Sequence, residues 1–381
     1  MAELEKVVIV GGGVGGCAVA LALRSAGVQV EIHEKYGDFQ GRATGFSIWA
    51  YAIRRLLSLG FERQRLQRVG REIVRQDIYS EAGELMMSLP VGEVSATVGA
   101  PTMDVDRRGL QEEIVDILGG AVYRFGSEVV AVRQDNDSAK AQLADGSAAS
   151  GDLVIACDGI RSIVRDSFND PPEFKMSSSD VVEGIAEFTH PWLAEGHHAQ
   201  VWGRGRRAGI GLVGEGRVRW FLGGIVKPGE PEIDQAELVR RSHGLPDIVA
   251  SVVAATEPAQ IVRARIAHAY PVEHWRDRRV VLLGDAAHTL SPFAGMGACS
   301  AIEDAAQLVE QLTSDKPLDL ALDTYVEQRK TKTLEIEKRG RRNERMMMAR
   351  NPLVTTIRDW VLQRTPDKKL REIATEMATG E

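Results

Sequence analysis

Five glycines within six positions follow a short β-branched stretch near the start of the chain. Lys6 to Val10 reads as a strand, Gly11-Gly12-Gly13-Val14-Gly15-Gly16 follows directly, Cys17 to Ala26 has helical composition, and Val28 to His33 reads again as a strand ending at Glu34. Few folds accommodate this order. It predicts a βαβ opening in which Gly11 permits the tight turn, Gly13 lets a phosphate approach the backbone and Gly16 lets helix and strand pack closely. The helix N-terminus would favour the anion, and Glu34 would accept hydrogen bonds from ribose hydroxyls. A glycine-rich turn without a ligand is the blander reading, and the four elements together favour a dinucleotide. The motif alone does not separate FAD from NAD.

The 381 residues suffice for two or three domains, or for one large α/β unit with insertions. Hydrophobic residues make up 44% and charged residues 27%, which excludes a disordered or fibrous chain. Lys and Arg number 47 against 54 Asp and Glu, a formal charge of -7. That balance repels phosphate backbones and argues against nucleic acid or an anionic membrane as a general partner, leaving small ligands. Cys17, Cys157 and Cys299 are odd in number and lack ligand spacing, so neither a disulfide framework nor a metal site is expected. The uncharged run Val7 to Leu23 is interrupted by five glycines and lacks a basic start, unlike a secretory segment or a membrane span. These features predict a cytoplasmic protein without stable membrane insertion, as monomer or homodimer.

Further along, Ser47 to Leu59 looks helical, Ile73 to Leu89 alternates like a hairpin, and Arg108 to Leu118 is an amphipathic helix. Glu128 to Val132 and Lys140 to Leu143, turning at Asp145-Gly146 towards Leu153 to Ala156, read as antiparallel strands returning the chain to a parallel sheet. Between about 176 and 266, strands such as Arg217 to Ile225 are separated by Gly and Pro, which suggests a mainly antiparallel second domain. Arg279 to Leu283 reads as a buried strand, Ala298 to Leu312 as a helix, and everything after about 318 as helical.

Two more motifs carry polar groups to strand ends. Val154-Ile155-Ala156-Cys157-Asp158-Gly159 is a buried strand closing in Asp-Gly, for which a plain strand-to-turn junction is the stronger explanation if it stood alone. Val280-Val281-Leu282-Leu283-Gly284-Asp285 continues through Pro292 and Gly295-Met296-Gly297 into the helix at Ala298. An Asp at the carboxyl end of such a strand lies where open α/β sheets bind ligands, and the following helix start would aim N–H groups at an anion. His288 reads as a packed histidine bonded to backbone, His197 and His198 as surface residues, and Arg329 to Arg345 as a solvated helix face. Met346 to Met348 read as core or interface packing or as a pocket entrance.

The three motifs, in this order and spacing, resemble the single-component FAD-dependent aromatic monooxygenases of the para-hydroxybenzoate hydroxylase type over roughly residues 5 to 345. The resemblance implies a Rossmann-like FAD-binding domain with an inserted, mainly antiparallel β-sheet substrate domain and C-terminal helices. FAD-binding parts would be 1–72, 99–175 and 274–317, substrate parts 73–98 and 176–273, and the helical region 318–381. It also implies tightly bound FAD, NADPH or NADH as co-substrate, O2, and hydroxylation of a small aromatic or heteroaromatic molecule through a C4a-hydroperoxyflavin. Gly11, Gly13, Gly15 and Gly16 would then form the pyrophosphate turn, with Glu34 at the ribose and Lys35 and the backbone of Val129 at the adenosine end. Arg107 and the more loosely matching Arg42 would contact FAD. Asp158 belongs to the Asp-Gly motif, Asp285 would meet the ribityl chain, and Pro292, Gly295, Gly297 and Ala298 would border the flavin at the reacting centre. The segment Val201 to Gly209, with Gly216 to Phe221, looks like the strand pair above the flavin.

The chain also departs from the family pattern. Many relatives read Gly-Gln-Gly where this chain has Gly295-Met296-Gly297, which predicts a more apolar substrate face. Tyr51 replaces an Asn of many relatives and Ser47 a His of some pyridine hydroxylases, so the substrate does not carry over. No substrate-deprotonating base is identifiable. A flavin-dependent epoxidase or reductase of an olefinic or polyprenyl substrate shares the framework. A non-catalytic flavin-fold binding protein would keep the first motif, although retention of Asp158-Gly159 and Gly284-Asp285 argues against it.

Overall fold

The computed structural model describes residues 4–39, 44–168, 173–176, 180–227, 229–264, 267–268 and 271–381. Among these, the opening strand Lys6–Val10 lies inside a six-stranded sheet, between Gln29–His33 and Leu153–Ala156, and runs parallel to both. Val280–Leu282 extends the sheet on one side and Tyr123–Arg124 on the other, both parallel, while the edge strand Arg276–Asp277 is antiparallel. Strands covered on both faces need no polar side, which is why Leu153–Ala156 and Val280–Leu282 are apolar and buried at every position. The first helix, Val14–Ser25, packs against the helices Arg107–Leu118 and Gly297–Leu312 in the largest core cluster.

A seven-stranded sheet runs in the order Ile261–Ala264, Val181–Glu187, Arg217–Gly223, Arg207–Gly214, His197–Trp202, Arg75–Ser80, Leu85–Leu89. Its pairings are antiparallel except for the parallel one between His197–Trp202 and Arg75–Ser80. Val182, Ala208, Ile210, Trp220 and Leu222 on one face build a second core with the helices Gln235–Ser242 and Asp247–Ala255. Strand alternation therefore sends Glu183, Arg207, Gly209, Arg219 and Phe221 to the opposite face. The long helix Leu318–Met347 lies along Gly297–Leu312, and the helices Pro352–Gln363 and Asp367–Thr379 follow it and cover the edge strand Leu85–Leu89.

Several element boundaries depart from the sequence reading, and the first helix starts at Val14 rather than Cys17. Ser47 and Ile48 lie in a strand, Gly45–Ile48, paired with Met103–Asp106, and the helix starts only at Ala50. Pairing with a distant segment overrides the local helical pattern there. The strand from Arg217 stops at Gly223 because Gly224 takes a φ of +79° that turns the chain.

Candidate active site

The glycine turn brings two of the motifs into contact. Gly11 has a φ of +92°, and a Cβ there would lie 2.5 Å from the Cys157 carbonyl oxygen and 2.9 Å from Asp158 Cα. At Gly16 a Cβ would meet the Gly11 carbonyl oxygen at 2.1 Å, so only glycine lets the helix lie this close to the turn. Gly13 differs, because the nearest heavy atom to its Cβ position is Arg107 Nη2 at 4.0 Å. The space before it is open and edged by a cation. The helix Val14–Ser25 has no side-chain cap and no acidic residue in its first turn, so its N–H groups and positive end face that space. Gly15 faces elsewhere: a Cβ there would strike Leu283 Cδ2 at 2.7 Å, so its lack of a side chain serves packing and leaves its N–H for a phosphate.

Gly12 carries a constraint not visible in the sequence. Its carbonyl accepts from Gln111 Nε2 (2.7 Å) and the Tyr123 hydroxyl (2.9 Å), and a Cβ would overlap the Tyr123 ring. The Glu34 carboxylate accepts from the backbone N–H groups of Gly12 (2.9 Å) and Tyr36 (3.1 Å), closing the turn from outside. Lys35 is exposed, with its Nζ 5.0 Å from the centroid of the Tyr36 ring. Val129 is buried at the start of the strand Val129–Gln134, just past Ser127, whose N–H donates to the Glu34 carbonyl. Arg107 is exposed at the start of its helix, which Asp106 caps by accepting from Arg108 N–H (3.0 Å). Arg42 lies outside the described residues.

Asp158 accepts weakly from Val164 N–H (3.4 Å), while its other carboxylate oxygen is buried with no partner. Burial raises its pKa, opposed by Ser162 and by backbone N–H groups. The Asp285 side chain is open to solvent and no hydrogen bond reaches its carboxylate among the described residues. Protein nevertheless crowds it enough that desolvation raises its pKa, with His288 and Arg107 opposing. An accessible but protein-ringed carboxylate is what the wall of a cleft produces.

Behind Asp285 stands Asp304, a residue the motifs do not flag. It is fully buried and accepts from the Gly284 N–H (3.0 Å), His288 Nε2 (2.5 Å) and Arg329 Nε. Burial alone would raise its pKa, but the His288 and Arg329 side chains outweigh that and hold it at about 2. Arg329 also reaches Glu303 (3.1 Å) and the Ser300 carbonyl, so it is a buried tie between two helices rather than part of a solvated face. His288 is packed as read, but its partner is a carboxylate rather than backbone.

The loop beyond it leads into the helix Gly297–Leu312, which has neither a side-chain cap nor an acidic residue in its first turn. Pro292 and Gly295 are exposed, Gly297 and Ala298 half-buried, and the Trp49 indole donates to the Gly295 carbonyl (3.2 Å). Met296 is buried in the main core, so the apolar substitution expected to line a substrate face packs inward instead.

Across from this loop lies the second face of the seven-stranded sheet. The Arg207 guanidinium stands 4.6 Å from the Phe221 ring centroid and 5.2 Å from that of Phe293, with Nη1 3.4 Å from Met347 Sδ. No carboxylate pairs with it among the described residues, and its Nε is buried without a partner. Desolvation, reinforced by Arg219, pulls its pKa down to about 10. Glu183 is half-buried on the same face without a hydrogen bond among the described residues. Burial raises its pKa against the opposing charges of Arg219 and Arg107. Arg219 joins sheet to turn by donating to Asp104 (2.8 Å) and the Gly45 carbonyl (2.9 Å). His198 pairs with the same Asp104 at 2.7 Å and His197 with Asp77 at 3.0 Å, so both histidines are buried rather than at the surface. Arg207 belongs to the Val201 to Gly209 segment, and the alternation of Arg207, Gly209 and Gly211 with Ala208 and Ile210 is the sequence signal that singles it out.

Comparison with known proteins fits this geometry. The FAD binding domain family model matches residues 5–339. The chain belongs to that family. Its relatives include the aurachin C monooxygenase/isomerase of Stigmatella aurantiaca, 32% identical over 84% of this chain and 83% of that one. The FAD-dependent urate hydroxylase of Mycolicibacterium vanbaalenii is 28% identical over 92% and 91%. The crystal structure of Klebsiella pneumoniae HpxO with FAD and uric acid superposes with a TM-score of 0.90 at 25% identity, covering 98% of this chain and 96% of that one. This member of the FAD binding domain family is a flavoprotein monooxygenase with the fold of the para-hydroxybenzoate hydroxylase type. The residues fit FAD: an open glycine at an uncapped helix end beside Arg107, a buried carboxylate oxygen of Asp158 without a donor, and the free Asp285 carboxylate.

Proposed function

We propose that the protein hydroxylates a small aromatic or heteroaromatic molecule bearing an acidic or anionic group, with NADPH or NADH as reductant. One ring C–H, O2, NAD(P)H and a proton would become ring C–OH, NAD(P)+ and water. When bound, FAD supplies the redox chemistry, taking hydride from the nicotinamide and activating O2 at its C4a position. Gly11, Gly13, Gly15, Gly16 and Arg107 would hold the diphosphate, and Glu34, Lys35 and Val129 the adenosine end. Asp158 and Asp285 would accept from cofactor hydroxyls. The uncapped helix start at Gly297 and Ala298 would offset negative charge beside Pro292 and Gly295.

Arg207 carries the substrate reading. A crowded cation without a counter-charge is costly, and a substrate anion lying between Phe221 and Phe293 would complete it. Glu183, facing the same space, would accept a proton from a ring hydroxyl or N–H. The uric acid bound to HpxO is an acidic heteroaromatic of this kind.

The test is NAD(P)H oxidation by the yellow protein against hydroxylated aromatics, quinolones and urate. The expected result is stimulation by one class with equimolar hydroxylated product. Arg207→Met should raise KM for that substrate about a hundredfold, the loss of roughly 3 kcal/mol from a desolvated charge pair, at unchanged flavin content. Glu183→Gln should lower kcat and remove the fall in rate at acid pH. A bound flavin that no nicotinamide reduces, or an Arg207→Met variant with wild-type KM, would overturn the reading.

A further inference from the structure

The helix Pro352–Gln363 is mounted inside out. Leu353, Val354, Ile357, Trp360 and Val361 are 75%, 50%, 62%, 55% and 49% exposed, while Thr355 and Arg358 on the opposite side are buried. The spacing 353, 357, 360, 361 places the apolar side chains on one side of the helix. Arg358 fastens the buried side by donating to the carbonyls of Trp202 (3.0 Å) and Gly203 (3.3 Å), and Asp359 accepts from it (2.8 Å). A contiguous apolar stripe of this kind on a soluble chain marks a contact surface.

The charge around it is equally distinctive. From Lys338 to Arg371 the chain carries eleven Lys and Arg against three Asp and Glu, although the whole molecule is at -7. Arg345, Arg350, Arg364 and Lys368 are exposed and have no acidic partner among the described residues, and the Arg364 guanidinium stacks on Trp360 at 4.6 Å. Net charge speaks for the chain as a whole. Within a screening length of about 8–10 Å, a ligand meets this fringe, in which basic side chains outnumber acidic ones, rather than the charge of the whole chain.

We propose that this helix docks the protein on an anionic phospholipid bilayer surface, with Leu353, Ile357 and Trp360 in the head-group layer and Arg350, Arg364 and Lys368 against lipid phosphates. Both halves of the surface are then satisfied, the apolar stripe by acyl chains and the fringe by negative head groups. A second copy of the chain would match only the stripe, because twofold pairing brings two basic fringes together. The docking is peripheral, since among the described residues no helix is long and apolar enough to cross a membrane. Because Arg358 grips Trp202 and Gly203 and Met347 touches Arg207, the membrane-facing helix stands beside the sheet face assigned to substrate.

The experiment is flotation of the full-length holoenzyme with vesicles of phosphatidylcholine alone or mixed equally with phosphatidylglycerol. Three basic side chains, each worth roughly fivefold near an anionic surface, predict partition into the mixed vesicles about a hundredfold above phosphatidylcholine, reduced by salt. Ile357→Asp with Trp360→Ser should reduce binding to the mixed vesicles at least tenfold. Arg350→Gln with Arg364→Gln and Lys368→Gln should abolish the preference for phosphatidylglycerol. Circular dichroism and flavin content should be unchanged in both variants. Absence of flotation, or flotation unaffected by either variant, overturns the proposal. So does a dimer in light scattering that Ile357→Asp converts to monomer, which would make the face an interface between copies.

Discussion

Asp304 accepts from the Gly284 N–H beside Asp285, and replacing it by Asn tests whether that carboxylate holds the turn. Asn keeps the shape and one acceptor but removes the negative charge, leaving buried Arg329 with Glu303 at 3.1 Å as its one carboxylate among the described residues. Breaking one side of a buried ion pair costs about 3–5 kcal/mol. For a chain of 381 residues, at about 2.1 cal/mol/K of unfolding entropy per residue, that corresponds to a fall in melting temperature of roughly 4–6 °C. The pH dependence carries a definite sign. Asp304 has a folded pKa depressed to about 2 from 3.8, so its contribution is complete above the unfolded value and disappears as pH falls through the folded one. That contribution is on the order of 2 kcal/mol, so the gap between wild type and Asp304→Asn should narrow as pH falls from 5 to 2. FAD occupancy should also fall, because the Gly284 N–H loses a charged acceptor. Adding Arg329→Met should recover part of the loss, since the orphaned charge goes with it. Melting curves by circular dichroism read all of these. A drop below about 2 °C, or a gap that widens with acid, would refute the reasoning.

Gly13→Val should give a folded protein with no bound FAD, because its side chain enters open space where a diphosphate would lie; a normal flavin-to-protein absorbance ratio would refute that placement. Gly16→Ala should instead destabilise the fold by about 2 kcal/mol or more, since its Cβ would stand 2.1 Å from the Gly11 carbonyl oxygen; wild-type melting would count against it. Asp285→Ala should leave the melting of the apoprotein unchanged and lower FAD retention after dialysis. Tyr123→Phe removes one of the bonds to the Gly12 carbonyl and should cost about 1 kcal/mol in urea unfolding.

What the sequence disclosed was local. The glycine turn was readable because the steric demands at Gly11 and Gly16 arise from neighbours within one βαβ unit. The strands Leu153–Ala156 and Val280–Leu282 were readable because burial on both faces leaves an unbroken apolar run. What it concealed depended on partners far along the chain. Asp304 sits within an ordinary helical pattern, and Arg329 within a basic run that looks solvated; nothing local says that they meet. His197 and His198 read as polar surface until sheet pairing delivers Asp77 and Asp104 to them. Arg207 and Glu183 share a face only through the register of three strands. Ser47 and Ile48 leave the helical pattern for the same reason, since Met103–Asp106 claims them for a sheet.

The seven-stranded sheet has a consequence for biosynthesis. Arg75 pairs with His197, so the hairpin Arg75–Leu89 emerges from the ribosome roughly 120 residues before its parallel neighbour, several seconds at about 5–20 residues per second. Its other edge, Leu85–Leu89, is covered by the helices Pro352–Gln363 and Asp367–Thr379, which are made roughly 260 residues later. Until those helices emerge the nascent chain therefore carries a bare strand edge open to aggregation, and chaperones that shield such edges should govern the yield of folded enzyme.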